Sequence, residues 1–262
     1  MESVFKLPLA IAVMDRVDAG ADAVDAAVTF GPIDFRSGPP DSIADLMPEG
    51  GTKTVRELVD TMLRTSDNTA ADLLLARVGG GAGVMKALAA RHIGGIDVSR
   101  SEGELMLEKH GLPYTRENAE RRTAERLIEA QPLEASRKAM AAERADPRDK
   151  ATPDAFIDLL VKLHAGKLLS PASTAFVVGA MQKAMTGPNR LRAGLPPGTV
   201  LAHRTGTGES LDGQREAMGD VGIITRPDGT HVAIATFVSP VREGDAKAEA
   251  AMAAAARAAL DL

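Results

Sequence analysis

The run Ser3-Val4-Phe5-Lys6-Leu7-Pro8-Leu9-Ala10-Ile11-Ala12-Val13-Met14 decides how the rest of the chain is read. On a helix, side chains three positions apart are surface neighbours, so the hydroxyl of Ser3 and the amine of Lys6 share one face: a nucleophile beside a base. A serine at a helix N-terminus also lies at the positive end of the macrodipole, where a developing oxyanion is favoured. The plain alternative is a cap followed by a surface lysine. Serine and lysine are common, so the pair gains its weight from the clusters that follow it.

Composition narrows the class of chemistry. A chain of 262 residues with 44% hydrophobic and 26% charged residues can bury a substantial core and is read as a soluble globular protein, in one large domain or two interleaved ones. A net charge of −5 and the lack of a basic, aromatic-interleaved patch argue against nucleic acid as a partner. No apolar run reaches the roughly 20 residues of a bilayer span, and the Ala-rich stretch from Lys247 to Leu262 is predicted to be an amphipathic helix. There is no cysteine, and His92, His110, His164, His203 and His231 lack ligand spacing, so neither a metal nor another cofactor is expected. Only two residues precede Ser3, so no signal peptide is expected within this chain.

Helix signals dominate the first two thirds. A Gly/Pro/Asp-rich connection from Gly31 to Gly51 leads to Thr54, with Glu57 three residues on as a capping box for a helix to about Leu63. Ser66 to Val78 and Gly83 to Arg91 read as helices separated by Gly79-Gly80-Gly81. From about 99 to 150 the periodicity degrades, and a long loop with a helical insertion between Arg116 and Met140 is expected. Pro153 and Pro171 each open a further helix. Strand patterns come late, at Thr199 to Arg204, Ala217 to Thr225 and His231 to Val238. Helices, then strands, then a terminal helix predict an α+β fold: a mostly helical subdomain over 1–185, and sheet strands with the last helix over 186–262.

Two further clusters accompany Ser3 and Lys6. Ser66-Asp67-Asn68 lies between two helices, where Ser66 or Asp67 can cap the second and so fix both the hydroxyl of Ser66 and the amide of Asn68. His203-Arg204-Thr205-Gly206-Thr207-Gly208 closes a strand with a cation, two hydroxyls and two glycines. Glycine there permits close approach of a ligand, and a cation with hydroxyls on a strand suits a carboxylate.

In this order the clusters resemble the Ser-x-x-Lys, Ser-Asp-Asn and Lys-Thr-Gly elements of serine β-lactamases and penicillin-binding proteins, with Arg204 in place of the last lysine. The resemblance is strongest to class A β-lactamases. It extends over Thr54-Val55-Arg56-Glu57-Leu58, Ser66 to Leu75, Arg148-Asp149 with Thr152-Pro153, and Arg190 to Pro196. The family's Ω loop opens on Arg-x-Glu-x-x-Leu-Asn, which Arg100-Ser101-Glu102-Gly103-Glu104-Leu105-Met106 matches except at the asparagine. The resemblance implies a helical subdomain packed on an antiparallel sheet, and a small-molecule β-lactam or D-Ala-D-Ala-type substrate. It also implies that Ser3 attacks the lactam carbonyl, with its own N–H and that of Thr207 as oxyanion donors. Lys6 acts as base or electrostatic guide, Ser66 passes a proton to the lactam nitrogen, and Asn68 binds a substrate amide. Arg204 and Thr205, with Gly206 and Thr207 on the same strand, hold the substrate carboxylate, and Arg190 adds a second cation. Glu102 activates the water that releases the acyl group.

Three departures shape the expectations. Met106 stands where the family has an amide that orders the hydrolytic water, so slow deacylation is expected. The stretch from Glu102 to Asp149 is several times longer than the family's loop, and a register counted back from Arg148-Asp149 puts Ser136 at the base position instead of Glu102. Family members also place a helix and two strands before the nucleophile. Without them the sheet lacks its N-terminal part, Val232 to Val238 forms a bare apolar edge, and self-association through that edge is expected. The function expected is opening of the β-lactam ring through a Ser3 acyl-enzyme. The alternatives are a D,D-peptidase or esterase with the same nucleophile, and a penicillin-binding module or inactive fragment that does not turn over. A periplasmic or secreted setting is expected for the full-length parent.

Overall fold

The computed structural model describes residues 1–261. Ser3 lies in a 3-10 turn, Glu2–Phe5, that runs directly into helix α1 (Lys6–Asp18), so the expected single helix begins with one tighter turn. Leu7, Leu9, Ala10, Ile11, Ala12, Val13 and Met14 are all buried, which places α1 at the centre of the molecule. Pro8 is tolerated in its first turn, where an N–H has no intrahelical acceptor to lose.

The Gly/Pro/Asp-rich connection contains structure that its composition hides. Strand β1 (Ala27–Phe30) pairs antiparallel with β2 (Gly51–Thr54), and helix α2 (Ile43–Leu46) lies between them. Gly50 enters β2 at φ +89°, and a Cβ there would stand 2.4 Å from the Phe30 carbonyl oxygen, so only glycine closes this hairpin. Helix α3 (Val55–Thr65) starts as the capping box requires: Thr54 Oγ1 accepts the Glu57 N–H at 3.2 Å, and Glu57 Oε2 accepts the Thr54 N–H at 2.7 Å.

Helix α4 (Asn68–Val78) begins two residues later than its pattern predicts. Ser66 terminates α3 in the left-handed region at φ 69°, and Asp67 caps α4 by accepting the Ala70 N–H at 2.7 Å. Gly79, in the left-handed region, is the break before α5 (Gly80–Ala90), so two residues of the glycine run are helical. The segment expected to be mainly loop folds into helices α6 (Glu102–Lys109), α7 (Arg121–Glu129) and α8 (Leu133–Ala145), with a small apolar cluster of its own at Leu107, Ala119 and Ala124. Helices α9 (Pro153–His164) and α10 (Pro171–Gln182) are capped by Thr152 and Ser170, each followed by its proline.

Strand β3 (Val200–Thr207) leads through a small hairpin, β4 (Ser210–Leu211) and β5 (Gln214–Arg215), to β6 (Met218–Thr225) and β7 (His231–Val238). The sheet order is β3-β6-β7, antiparallel throughout, with Arg204 opposite Val221 and Thr207 opposite Met218. Helix α9 covers β7, with the Phe156 and Phe237 rings 5.7 Å apart, and α11 (Asp245–Ala258) packs on the other face. β7 is thus the outer strand and, among the described residues, unpaired along one edge as expected, while its apolar side chains are half-buried beneath helices. The terminal helix was read as far as Leu262, which lies outside the described residues. One apolar core runs from α1 through α3, α4, α9 and α10 into β3 and β6. No single helix among the described residues is long and apolar enough to cross a membrane.

Candidate active site

Four elements converge on Ser3. The 3-10 turn carries its hydroxyl, α1 begins with Lys6, the α3–α4 junction presents Ser66 and Asn68, and the first residue of α6 is Glu102. The Ser3 hydroxyl donates to Glu102 Oε1 at 3.2 Å and accepts from Lys6 Nζ at 3.0 Å. Lys6 Nζ also lies 2.9 Å from the Ser66 carbonyl oxygen, 3.3 Å from Ser66 Oγ and 2.8 Å from Glu102 Oε1, and it contacts Asn68 Oδ1. An ammonium has three protons to share among these five acceptors, so the proton pattern can change without heavy atoms moving.

Lys6 is fully buried, not the surface lysine of the plain reading. Burial pushes its ammonium below the ordinary range despite the Glu102 carboxylate, and Arg204 adds to the push. Burial, the largest single influence, raises Glu102, but the charge and hydrogen bond of Lys6, the Lys109 charge and the Ser3 hydroxyl together outweigh it, and the carboxyl is held below its ordinary range. Lys6 and Glu102 are thus paired at 2.8 Å in contact with the nucleophile. Ser136, the alternative base position, lies on α8, and its hydroxyl is 3.3 Å from His110 Nδ1. Glu102 is the group beside Ser3.

Arg204 is fully buried and links the clusters: Nε donates to the Ser3 carbonyl oxygen at 3.0 Å and Nη2 to Ser66 Oγ at 2.6 Å. Its Nη1 has no hydrogen-bond partner, and burial lowers the guanidinium to about 10. Thr205 Oγ1 shares a 2.6 Å hydrogen bond with Thr186 Oγ1. Asn68 is anchored on its other side by donating from Nδ2 to the Ser37 carbonyl at 2.6 Å.

Two expectations change here. Arg190 is not a second free cation for substrate. It is 4% exposed and committed to the strands, donating from Nη1 to the Gly206 and Gly219 carbonyls at 2.9 and 3.1 Å and from Nη2 to Thr207 Oγ1 at 2.6 Å. Gly206 allows a close approach, but of backbone: a Cβ there would lie 2.6 Å from the Met1 carbonyl oxygen and 3.0 Å from Glu2 Cβ. The lack of a side chain lets β3 lie against the turn that carries Ser3.

Two residues that hold Glu102 in place were given no role in the sequence reading. Asp72 Oδ1 accepts the Glu102 N–H at 2.7 Å, Oδ2 accepts the Gly103 N–H at 3.1 Å, and Arg36 Nε pairs with Oδ2 at 2.7 Å. The available signal was the helical spacing of Asp72 one turn after Asn68, on the same face of α4. Arg100, 5% exposed, donates from Nε to Asp149 at 2.6 Å, from Nη1 to Glu108 at 2.9 Å, and from both terminal nitrogens to Glu143 at 2.8 and 3.0 Å. These carboxylates hold its guanidinium above the ordinary range against burial. Asp149 also accepts the N–H groups of Ser99 and Arg100, so the two ends of the 99–150 segment are tied together. Met106, one turn after Glu102 on α6, packs against the small cluster of Leu107, Ala119 and Ala124.

An acylating serine with a buried lysine, a carboxylate and a strand-borne arginine on this α+β frame defines a serine hydrolase of the penicillin-recognising kind. The profile of the beta-lactamase enzyme family matches residues 1–262, and the chain belongs to that family. It is 30% identical to the beta-lactamase VEB-1 of Pseudomonas aeruginosa over 245 residues, 93% of this chain and 71% of that protein. The crystal structure of a beta-lactamase from Chitinophaga pinensis superposes with a TM-score of 0.80 at 32% identity, over all of this chain and 84% of the other. That of the TLA-3 extended-spectrum beta-lactamase superposes at 0.79 and 28% identity, over all of this chain and 83% of that one.

Proposed function

We propose that the chain hydrolyses β-lactams through an ester of Ser3. The observation that carries this reading is the contact of one hydroxyl with both a buried ammonium and a largely buried carboxylate, at 3.0 and 3.2 Å. In acylation the Ser3 proton passes to Glu102, directly or through Lys6, while Oγ bonds to the lactam carbonyl carbon. The oxyanion is received by the Ser3 N–H, which in a first turn has no intrahelical acceptor, and by the Thr207 N–H. The C–N bond then breaks. Ser66 Oγ accepts from both Arg204 and Lys6, so its own proton is free to be donated to the departing nitrogen. Arg204, with Nη1 unpartnered, and Thr205 receive the substrate carboxylate, and Asn68 a substrate amide. The proton on Glu102 then returns through Lys6 to Ser66 Oγ, and in deacylation the restored carboxylate takes a proton from the water that attacks the ester carbonyl and hands it to Ser3 Oγ as the ester C–O bond breaks. Arg190 supports this chemistry from behind by fixing Thr207 and the backbone of β3.

Met106 favours a second reading in which the acyl group stays on Ser3, as in a D,D-peptidase or a penicillin-binding module. Intact mass after addition of a chromogenic cephalosporin separates the two. Turnover with a transient adduct at Ser3 supports the hydrolase, a lasting adduct with release of D-alanine from a D-Ala-D-Ala peptide supports the alternative, and no adduct removes both. A lactam- or peptidoglycan-directed enzyme works outside the cytoplasm, and the outer strand β7 is the edge through which two copies would pair.

A further inference from the structure

Lys109, the last residue of α6, is buried, and beyond the help its charge gives in holding Glu102 low it has no role in the steps above. Its Nζ lies 2.9 and 3.1 Å from the two carboxylate oxygens of Glu2 and 2.8 Å from Glu216 Oε2. These two carboxylates hold the ammonium above its ordinary range against burial. Glu216 is 5% exposed and its Oε1 has no hydrogen-bond partner, so the lysine beside Oε2 is what compensates its burial.

The two partners sit at informative places. Glu2 immediately precedes Ser3 and is held in the left-handed region at φ 50°, a conformation unfavourable for a residue with a Cβ. Glu216 donates its N–H to the Glu209 carbonyl at 3.0 Å, and the Gly208 N–H, one residue beyond Thr207, donates to the Ala217 carbonyl at 2.8 Å. The Glu2 carboxylate fits because Gly208 has no side chain: a Cβ there would lie 3.0 Å from Glu2 Oε1. One ammonium thus ties the residue before one oxyanion donor to the strand segment after the other.

We propose that Lys109 is a positioning residue for the oxyanion hole, fixing the separation of the Ser3 and Thr207 N–H groups by clasping Glu2 to Glu216. The proposal rests on the acyl-enzyme reading above. An oxyanion hole acts on the tetrahedral state and not on bound substrate, so loss of the clasp lowers acylation and weakens tetrahedral adducts while leaving ground-state binding nearly unchanged.

The test compares the wild type with Lys109→Met and Lys109→Arg. Acylation is followed by stopped flow with a chromogenic cephalosporin, tetrahedral affinity by inhibition with phenylboronic acid, and stability by thermal melting. Lys109→Met is expected to lower the acylation rate constant by about 30-fold and phenylboronic acid affinity by a similar factor, with substrate Kd changed by less than about 3-fold, and Lys109→Arg to recover most of both losses. Glu216→Gln, which keeps the Lys109–Glu2 pair, is expected to lose about 5-fold in each, and it stands in if Lys109→Met does not fold. A lower melting temperature with unchanged acylation and phenylboronic acid affinity would overturn the clasp, as would an acylation loss not shared by the boronic acid. A wild type that never acylates would instead remove the hydrolase reading itself.

Discussion

Replacing Glu102 by Gln separates the two halves of the proposed cycle. The carboxylate is the acceptor for the Ser3 proton at 3.2 Å and the partner of Lys6 at 2.8 Å. Gln keeps the shape and one acceptor oxygen but cannot take a proton from water, whereas in acylation Lys6, freed of its carboxylate and in contact with Ser3 Oγ, takes the Ser3 proton in its place. General-base contributions run at about 10²–10⁴-fold, so deacylation should slow by at least about 100-fold, roughly 2.7 kcal/mol in barrier. The structural cost is smaller. Breaking a buried pair costs about 3–5 kcal/mol when the survivor is stranded. Here Lys6 retains the Ser66 carbonyl, Ser66 Oγ and Asn68 as acceptors, and burial already lowers its ammonium below the ordinary range. A loss of about 1–2 kcal/mol is expected, which for a chain of this size lowers Tm by about 3–6 °C. In intact-mass experiments with a cephalosporin, Glu102→Gln should accumulate the Ser3 adduct within a turnover and hold it for minutes. Unchanged turnover, or no adduct at any time, would refute the role given to Glu102.

Three further outcomes follow from the same geometry. Met106→Asn puts a water-ordering amide one turn from Glu102, and deacylation measured by adduct decay should speed up by about tenfold, with acylation unaltered. Asp72→Ala removes the acceptor of the Glu102 and Gly103 N–H groups and strands Arg36. A stability loss of about 3–5 kcal/mol by denaturant titration is expected, with deacylation impaired more than acylation. The third concerns pH. Glu102 sits below its ordinary value of 4.5 when folded, so its stabilising contribution is complete above that value and lost as pH falls through the folded one. The acid limb of the deacylation rate should accordingly lie below pH 4.5, and a limb above it would contradict the ion pair.

What was legible in the sequence was local. The Ser3–Lys6 spacing, the Thr54–Glu57 capping box and the late alternating strands are each set by residues within one turn or one hairpin, and the structure forms them nearly where they were expected. Strands β1 and β2, at the two ends of the Gly31–Gly51 connection, were missed because four-residue strands that pair across a long connection carry no usable alternation. The 99–150 segment was illegible for another reason. Its order comes from charges far apart in sequence, with Arg100 reaching Glu143 and Asp149, and a polar network leaves no apolar period. Arg190 was misjudged because a cation near a binding strand looks like a ligand for substrate, whereas backbone carbonyls of β3 and β6 claim it.

The Arg100–Asp149 tie bears on how this fold tolerates change. It joins residues 49 positions apart and fixes the entry to α6, so Glu102 is located by its anchor and not by the helices that follow. Closing a longer loop adds only about 0.6 kcal/mol for each doubling of its length. Between the anchor's jaws, α7 and the part of α8 that precedes Glu143 are therefore free to be shortened, lengthened or exchanged over generations while the carboxylate keeps its address, and that stretch serves as a site of evolutionary elaboration placed beside the chemistry without being part of it.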